Sequence, residues 1–470
     1  MKNLENLSLK FPGLLESGLF FFLLLESIIV FSIFLPGCKI PLLLFPSLIF
    51  LVLNFWDVRI GLFVMIALAS SAAYGVKSVS GIMLVVLGLI SVFVCLTVYF
   101  RSCLQKFKIN KSELNWPIAV FLGIVLFHLA RGFLNSYPLK WIYFESLAYL
   151  GFGVVFLVIN LCDNEAVINK FFRLLIFLAY FQAILGLVNY FKVGHRVGGY
   201  LFGAYPSLIA LVLLNMAFYS RNKLQRLIYL LLSLPLILHL LFSFTRGYWL
   251  GFLVALLISF SIYTINSKSI FSKKVFVFFK GLFLLFVGII VLLTLAAHFF
   301  PVNDLYSKVG IRFISSFSAK PTALTASNYA RLVEYKVCWE AIKQKPIFGH
   351  GIGYALTIKQ PILQSQGMQW FVHQSYLMIA LKMGLIGLLG FFWMFYTFFR
   401  FGFRSSKSIE NSYYQGMSFG FIANAIQLLV IALTNYDFAS VVNTFYLGFA
   451  MGGVVIINSK GIKIVRNTFT

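Results

Sequence analysis

Three arginines and one histidine stand where chemistry can be done. Arg196 lies in Gly194-His195-Arg196-Val197-Gly198-Gly199 and Arg246 in Ser243-Phe244-Thr245-Arg246-Gly247. Arg331 falls within a long polar segment, and His373-Gln374 closes that segment. A guanidinium grips phosphate oxygens through a planar fork of donors. A neutral imidazole takes a proton from a hydroxyl near pH 7. An arginine near or within a bilayer costs roughly 2.5–3.5 kcal/mol on insertion scales, so one kept at such a place calls for a partner. Taken singly, each arginine has an ordinary explanation, snorkelling to headgroups or pairing with Asp437 or Glu145. Three on one face, beside glycines that let a ligand approach the backbone, favour a binding function.

A further candidate is Gly349-His350-Gly351-Ile352-Gly353-Tyr354. It is not a dinucleotide fingerprint, since the spacing differs and no strand is expected before it. Two roles remain for it: a flexible turn after a helix, or a set of backbone N–H groups from Gly349 and Gly351 cradling a phosphate. The six histidines (His128, His195, His239, His298, His350 and His373) fall toward one side of the expected bundle, and none forms HxxH or HExxH, so no metal site is expected. His373 differs from the others in sitting where polar segment meets span. Five cysteines without regular spacing point to neither a disulfide framework nor zinc.

The elements that must hold these residues are membrane spans. The 470-residue chain is 61% hydrophobic and 11% charged, against roughly 25% charged in soluble domains. Apolar blocks long enough to cross a ~30 Å hydrocarbon core recur. They fall near 14–35, 40–55, 60–76, 80–100, 116–132, 141–161, 171–191, 200–219, 225–242, 247–265, 275–299, 373–399, 411–434 and 438–457. The expected fold is all-α, a polytopic bundle of about 12–14 transmembrane helices, counting the first block as a retained span. The net charge of +25 invites a nucleic-acid partner, but the Lys/Arg sit in alternate short loops, as the positive-inside rule requires. That alternation places both termini in the cytoplasm and the segment 300–372 outside.

The 300–372 segment carries eight Lys/Arg against three Asp/Glu. It separates residues 1–299, with the first eleven blocks, from 373–470. A segment of this length between spans is usually functional or disordered. Asn328–Lys345 is expected to be a helix, capped by Ser327 or Asn328 and ended by Pro346 and Gly349, with an apolar stripe of Leu332, Tyr335, Trp339 and Ile342. Such a helix suits a membrane surface or a lid over a cavity between spans. The outward face is poor in carboxylates: Glu145, Asp304, Glu334, Glu340 and Asp437 are the candidates. An Arg-rich, acid-poor external cavity suits an anionic, lipid-borne substrate.

In this order the pieces resemble the O-antigen ligase and O-antigen polymerase superfamily of bacterial membrane glycosyltransferases. The resemblance covers about residues 190–400 and rests on four motifs: Arg196-Val-Gly-Gly-Tyr-Leu-Phe…Pro206; Ser243-Phe-Thr-Arg246-Gly; Arg331…Trp339…Pro346-Ile-Phe-Gly349-His-Gly351-Ile-Gly353; and His373-Gln374-x9-Gly384-x-x-Gly387. Gln374 stands where Asn is commoner, and Tyr205-Pro206 replaces a frequent Asn-Pro.

What the resemblance implies is a GT-C-like bundle with a helical periplasmic subdomain in the bacterial inner membrane. It implies glycosyl transfer from undecaprenyl diphosphate with inversion and with no metal or cofactor. The acceptor is a lipid A-core sugar for a ligase, or a second lipid-linked glycan for a polymerase; the fourth motif favours the ligase. Arg246 and Arg331 are implied at the diphosphate, supported by Arg196, with His373 at the acceptor hydroxyl and Gln374 beside it. Membrane lipid is the other expected partner, and nucleic acid is not one. A lipid-linked glycan transporter is the alternative from another class. Transporters, however, hold polar groups near the midplane and show internal repeats, which this chain does not. A non-catalytic scaffold has no need of clustered Arg and His.

Overall fold

The computed structural model describes residues 59, 61–62, 64–65, 110–162, 165–193, 204–243, 245–266, 326–360 and 365–467. The chain divides into two compact units, residues 1–110 with 160–163 and residues 111–159 with 164–470. Of the first, the described part is small; within it the Asn110 amide donates to Asn160 Oδ1 at 3.0 Å. The remaining description concerns the second.

Its helices are α1 (Asn115–Leu134), α2 (Leu139–Leu150), which runs through a 3-10 turn into α3 (Val154–Leu161), α4 (Glu165–Val193), α5 (Tyr205–Tyr219), α6 (Lys223–Phe242), α7 (Arg246–Asn266), α8 (Ala326–Gln344), α9 (Ser375–Ser406), α10 (Ser412–Ile431) and α11 (Val441–Asn467). Eight described segments are long and apolar enough to span a membrane, and α5 is a shorter apolar helix. These match nine of the expected blocks. The blocks near 14–35, 40–55, 80–100 and 275–299, and nearly all of 60–76, lie outside the described residues.

The all-α expectation holds, with one small departure. Among the described residues there is a single antiparallel hairpin, β1 (Leu356–Gln360) and β2 (Ser365–Gln369), pairing Leu356 with Gln369 and Gln360 with Ser365. In β1, Leu356 and Ile358 are buried and Thr357 between them is exposed, the two-residue period of a half-buried strand.

Polar caps start several helices. Asn222 Oδ1 accepts from the Leu224 amide and Asn411 Oδ1 from the Tyr413 amide. Each replaces a partner that the first turn of a helix lacks. The core is built on α5, α10 and α11; 94% of the α11 span is buried. Paired glycines four apart let these helices meet backbone to backbone. A Cβ on Gly416 would lie 2.7 Å from Met216 Cα, and one on Gly420 equally close to Val212 Cα. Small-xxx-small faces of this kind give dispersion contacts where lipid offers no hydrophobic drive. Gly251 of α7 approaches the Gln427 carbonyl of α10 in the same way. α1, α6 and α7 are only one-third buried along their spans and form the apolar flank.

Hydrogen bonds between helix ends sort the bundle into two ends. Arg404, near the end of α9, pairs with Glu113 just before α1, and Asn169 of α4 bonds Tyr413 and Tyr414 of α10. That end carries Lys111, Lys170, Arg173, Arg221, Lys223, Arg226, Arg400 and Lys407. The opposite end gathers the last turn of α1, the start of α7, all of α8 and the His373 junction.

Candidate functional site

α8 arises where expected, two residues earlier at its start and one earlier at its end. Its buried face takes half of the expected apolar stripe: Ile342 is buried and Tyr335 packs against the same cluster. Leu332 and Trp339 are exposed, and the face turned inward is Glu334, Cys338, Ala341 and Ile342. Cys338, Ala341 and Ile342 share one apolar cluster with Leu356 and Ile358 of β1, Val372, and Met378 and Leu381 of α9. Ser327 and Asn328 lie within the helix, not before it.

Buried among that apolar face, Glu334 turns to His373. The His373 amide N–H donates to Glu334 Oε1 at 2.6 Å, and His373 Nδ1 lies 2.8 Å from Glu334 Oε2. Tyr335, the next residue on α8, donates its hydroxyl to the His373 carbonyl at 2.9 Å. Phe371 and Tyr436 set their rings nearly perpendicular to the imidazole at 5.1 and 5.5 Å. The His373 side chain keeps 30% of its surface exposed, and that of Glu334 keeps 3%. Arg331, half-buried, stands one helical turn before Glu334 and so on the same side of α8. Gln374 caps α9, its Oε1 accepting from the Leu377 amide.

Arg246 opens α7, directly after the Ser243–Thr245 connection, and is half-buried. The hairpin tip is closed by Trp249 Nε1 donating to the Leu240 carbonyl at 2.8 Å. Gly247 abuts Thr434 and Asn435. The Asn435 carbonyl in turn accepts from Ser375 Oγ at 2.8 Å, two residues after His373. One loop thus joins the start of α7 to the start of α9, and with it Arg246 to the neighbourhood of His373. Beside this loop Asp437 is buried, with Oδ1 accepting from Asn443 Nδ2 at 2.7 Å. Burial pushes its carboxyl up to about 7, against the opposing pull of hydrogen bonds from Asn443 and Tyr248. Arg196 and His195 lie outside the described residues, as do His298 and Asp304.

The Gly349–Tyr354 turn is neither a flexible connector nor a free cradle. α9 breaks at Gly384 (φ 66°, ψ −163°), about 14 Å along its length at 1.5 Å per residue, and the turn fits into the break. The His350 and Gly351 amides donate to the Leu381 and Lys382 carbonyls at 2.9 and 2.8 Å. The Leu385 and Ile386 amides donate to the Pro346 and Ile347 carbonyls at 2.9 and 3.3 Å. The Gly349 amide is held by the Lys345 carbonyl and that of Gly353 by Glu145 Oε2. With every one of these donors engaged, the turn supplies carbonyl and amide partners that a broken helix needs, and Gly349 and Gly351 have no amide left for a phosphate. Gly349, at φ 57°, and Gly384 approach so closely that a Cβ on either would enter the other's backbone.

Side chains lock the same turn. Arg131 of α1 donates to the Phe348 carbonyl at 2.5 Å and the Gly349 carbonyl at 3.2 Å, and Tyr137 to the His350 carbonyl at 3.2 Å. Lys382 and Glu145 form an ion pair in which both side chains are fully buried. Lys382 also donates to the Tyr354 carbonyl, and to the Trp370 carbonyl at 2.8 Å. Glu145 is therefore taken by lysine and is no partner for the arginines. His128, His239 and His350 are buried. Burial holds the His350 imidazole below its ordinary value, reinforced by the charges of Lys345, Arg131 and Lys382 and opposed by its bond to the Ala341 carbonyl. Sequence reasoning missed the Lys382–Glu145 pair, although a lysine within an apolar run carries the signal. It also missed Arg131 and the pairing of Glu334 with His373.

The fold and site define a multi-pass helical membrane protein with a partly open, carboxylate-backed histidine at one end of its bundle. A family model described as O-antigen ligase matches residues 228–392, from α6 to the middle of α9, and supports the O-antigen ligase family for this chain. The matched stretch holds Arg246, Arg331, His373 and both partners of the broken-helix contact, and leaves Arg196 outside. The family's members are membrane glycosyltransferase-like enzymes of ligase or polymerase type, acting on lipid-linked glycans and their acceptors. No curated protein matches the chain.

Proposed function

We propose that this protein is an O-antigen ligase of the bacterial inner membrane. It transfers a glycan from undecaprenyl diphosphate to a sugar hydroxyl of the lipid A core on the periplasmic side. The observation that carries this is His373: its imidazole sits partly open at the junction of polar segment and span, with Arg331 on the helix packed beside it and Arg246 tied to the same helix ends. The acceptor oxygen attacks the anomeric carbon as its proton passes to His373. The bond from that carbon to the diphosphate oxygen breaks with inversion, and the electron pair leaves on undecaprenyl diphosphate. Arg246 and Arg331 face the charge that develops there, doing the work of a metal. Arg196 is assigned to the same diphosphate from its motif. Gln374, already capping α9, contributes at most its amide nitrogen to the acceptor. Gly349 and Gly351 hold the helix break instead of binding phosphate. The periplasmic assignment is supported by the basic residues collected at the opposite end of the bundle.

Purified protein given an undecaprenyl-diphosphate-linked glycan, with rough lipopolysaccharide or a second lipid-linked unit as acceptor, tests this. Transfer to the lipopolysaccharide is expected, falling about 10²–10⁴-fold in His373→Ala and about 10²–10³-fold in Arg246→Ala. Extension of the lipid-linked unit alone makes the protein a polymerase. Movement of intact donor across a vesicle membrane with no new glycosidic bond makes it a transporter.

A further inference from the structure

The Glu334 carboxylate receives both polar hydrogens that His373 can offer it, the amide N–H at Oε1 and the ring at Oε2. It is buried at 3% exposure and has no other hydrogen-bond or ion-pair partner among the described residues. An ionised carboxylate only accepts. Against such a carboxylate the 2.8 Å contact calls for the proton on Nδ1, which would leave the lone pair of a neutral ring on Nε2. Among the described residues no hydrogen bond engages Nε2. The His373 main chain is held independently by the Tyr335 bond to its carbonyl, and the ring is flanked by those of Phe371 and Tyr436.

We infer that Glu334 is the positioning residue of His373. It selects the Nδ1–H tautomer, leaves Nε2 as the atom that takes the acceptor proton, and compensates the imidazolium that results. The inference rests on the glycosyl transfer proposed above and adds a residue to it. In that step the acceptor O–H bond breaks and an Nε2–H bond forms. The new glycosidic bond replaces the bond to the diphosphate, and Glu334 stays ionised throughout. Glu334 touches neither donor nor acceptor; it acts through the histidine.

Glu334→Gln is the informative change. Its one carboxamide oxygen cannot serve both donors. An NH₂ group turned to Nδ1 would move the ring proton to Nε2, where the ring no longer accepts. The expected result is a kcat lower by about 10²–10⁴-fold with KM for the lipid-linked donor within about twofold, since donor binding is left intact. Glu334→Asp, which keeps the charge, should recover part of that loss. In a His373→Ala background Glu334→Gln should cost nothing further. Because a buried site can fail to fold when changed, the tautomer is also read in the unaltered protein. In lipid nanodiscs, ¹⁵N resonances assigned to His373 by their loss in His373→Ala should show a protonated Nδ1 and a bare Nε2. A ring protonated on Nε2, together with an inactive His373→Ala, overturns the role of Glu334 alone. So does a further loss on adding Glu334→Gln to His373→Ala. Full transfer by His373→Ala overturns instead the reaction on which the inference rests.

Discussion

At the residue scale the site sets few carboxylates, two of them buried, beside a partly open histidine. Asp437 shows how far burial alone can move one. Its carboxyl ordinarily titrates near 3.8 and is held at about 7 by burial in the turn between α10 and α11. The folded protein thus keeps a proton that the unfolded chain has released throughout that window. Stability from this group is fully present below the lower value and is lost as pH rises through about 7, at up to about 1.4 kcal/mol per pH unit. Thermal unfolding in detergent between pH 5 and 8 should show the melting temperature falling toward pH 7 and levelling above it. Asp437→Asn should flatten this component, and identical pH profiles for both proteins would rule it out. His373 was legible from sequence because a polar pair opened an apolar run and matched a motif. Its partner Glu334 was not, because thirty-nine residues separate them and no local pattern links a mid-helix carboxylate to a histidine beyond a hairpin.

At the element scale the two glycine motifs explain each other. The Pro346–Gly351 turn supplies the hydrogen bonds that α9 loses at Gly384, and Gly384 supplies the space that the turn needs. Either half looks like a weak signal in sequence, since glycine-rich turns are common. Their contact is what gives them meaning, and it is tertiary. The hairpin was missed for a nearer reason: Leu356-Thr-Ile-Lys-Gln has a strand's alternation, but over only five residues and inside a segment dominated by a helix. The stripe on α8 held for Tyr335 and Ile342 and not for Leu332 and Trp339, because hydrophobic periodicity marks which residues are apolar, not which side a neighbour occupies. Gly384→Ala places a Cβ 2.6 Å from the Gly349 amide nitrogen, at a φ of 66° that side chains rarely adopt. Strain of that kind costs on the order of 1–3 kcal/mol before the clash is added. The variant should express poorly or melt well below the parent protein. Gly123→Ala in α1 meets nothing within 4 Å and should be neutral or slightly stabilising, giving a matched control. Equal melting temperatures for the two variants would show that the helix break carries no load.

At the scale of the whole molecule, the positions of the nine blocks that fall within the described residues were the most legible part, because a bilayer imposes span length on the sequence directly. The structure adds an independent constraint. Bonds between helix ends put Asn135, Gly247 and His373 at one end of the bundle, and Glu113, Asn169 and Arg404 at the other. The buried Lys382–Glu145 pair joins α9 to α2 near the first of these ends, so the two spans cannot be assigned independently. Which end faces outward is a separate question; the positive-inside trend is the ground for proposing that the end with Arg221, Arg226, Arg400 and Arg404 faces the cytoplasm. Single cysteines at Ser136 and Ser408, both exposed and at opposite ends, test this in a background with the native cysteines replaced. A membrane-impermeant maleimide added to spheroplasts should label Ser136→Cys at once and Ser408→Cys only after lysis. The reverse pattern would put His373 in the cytoplasm, beside neither a periplasmic donor nor a lipid A-core acceptor. Labelling of both before lysis would mean that the two ends share a side, against the alternation on which the span assignment depends.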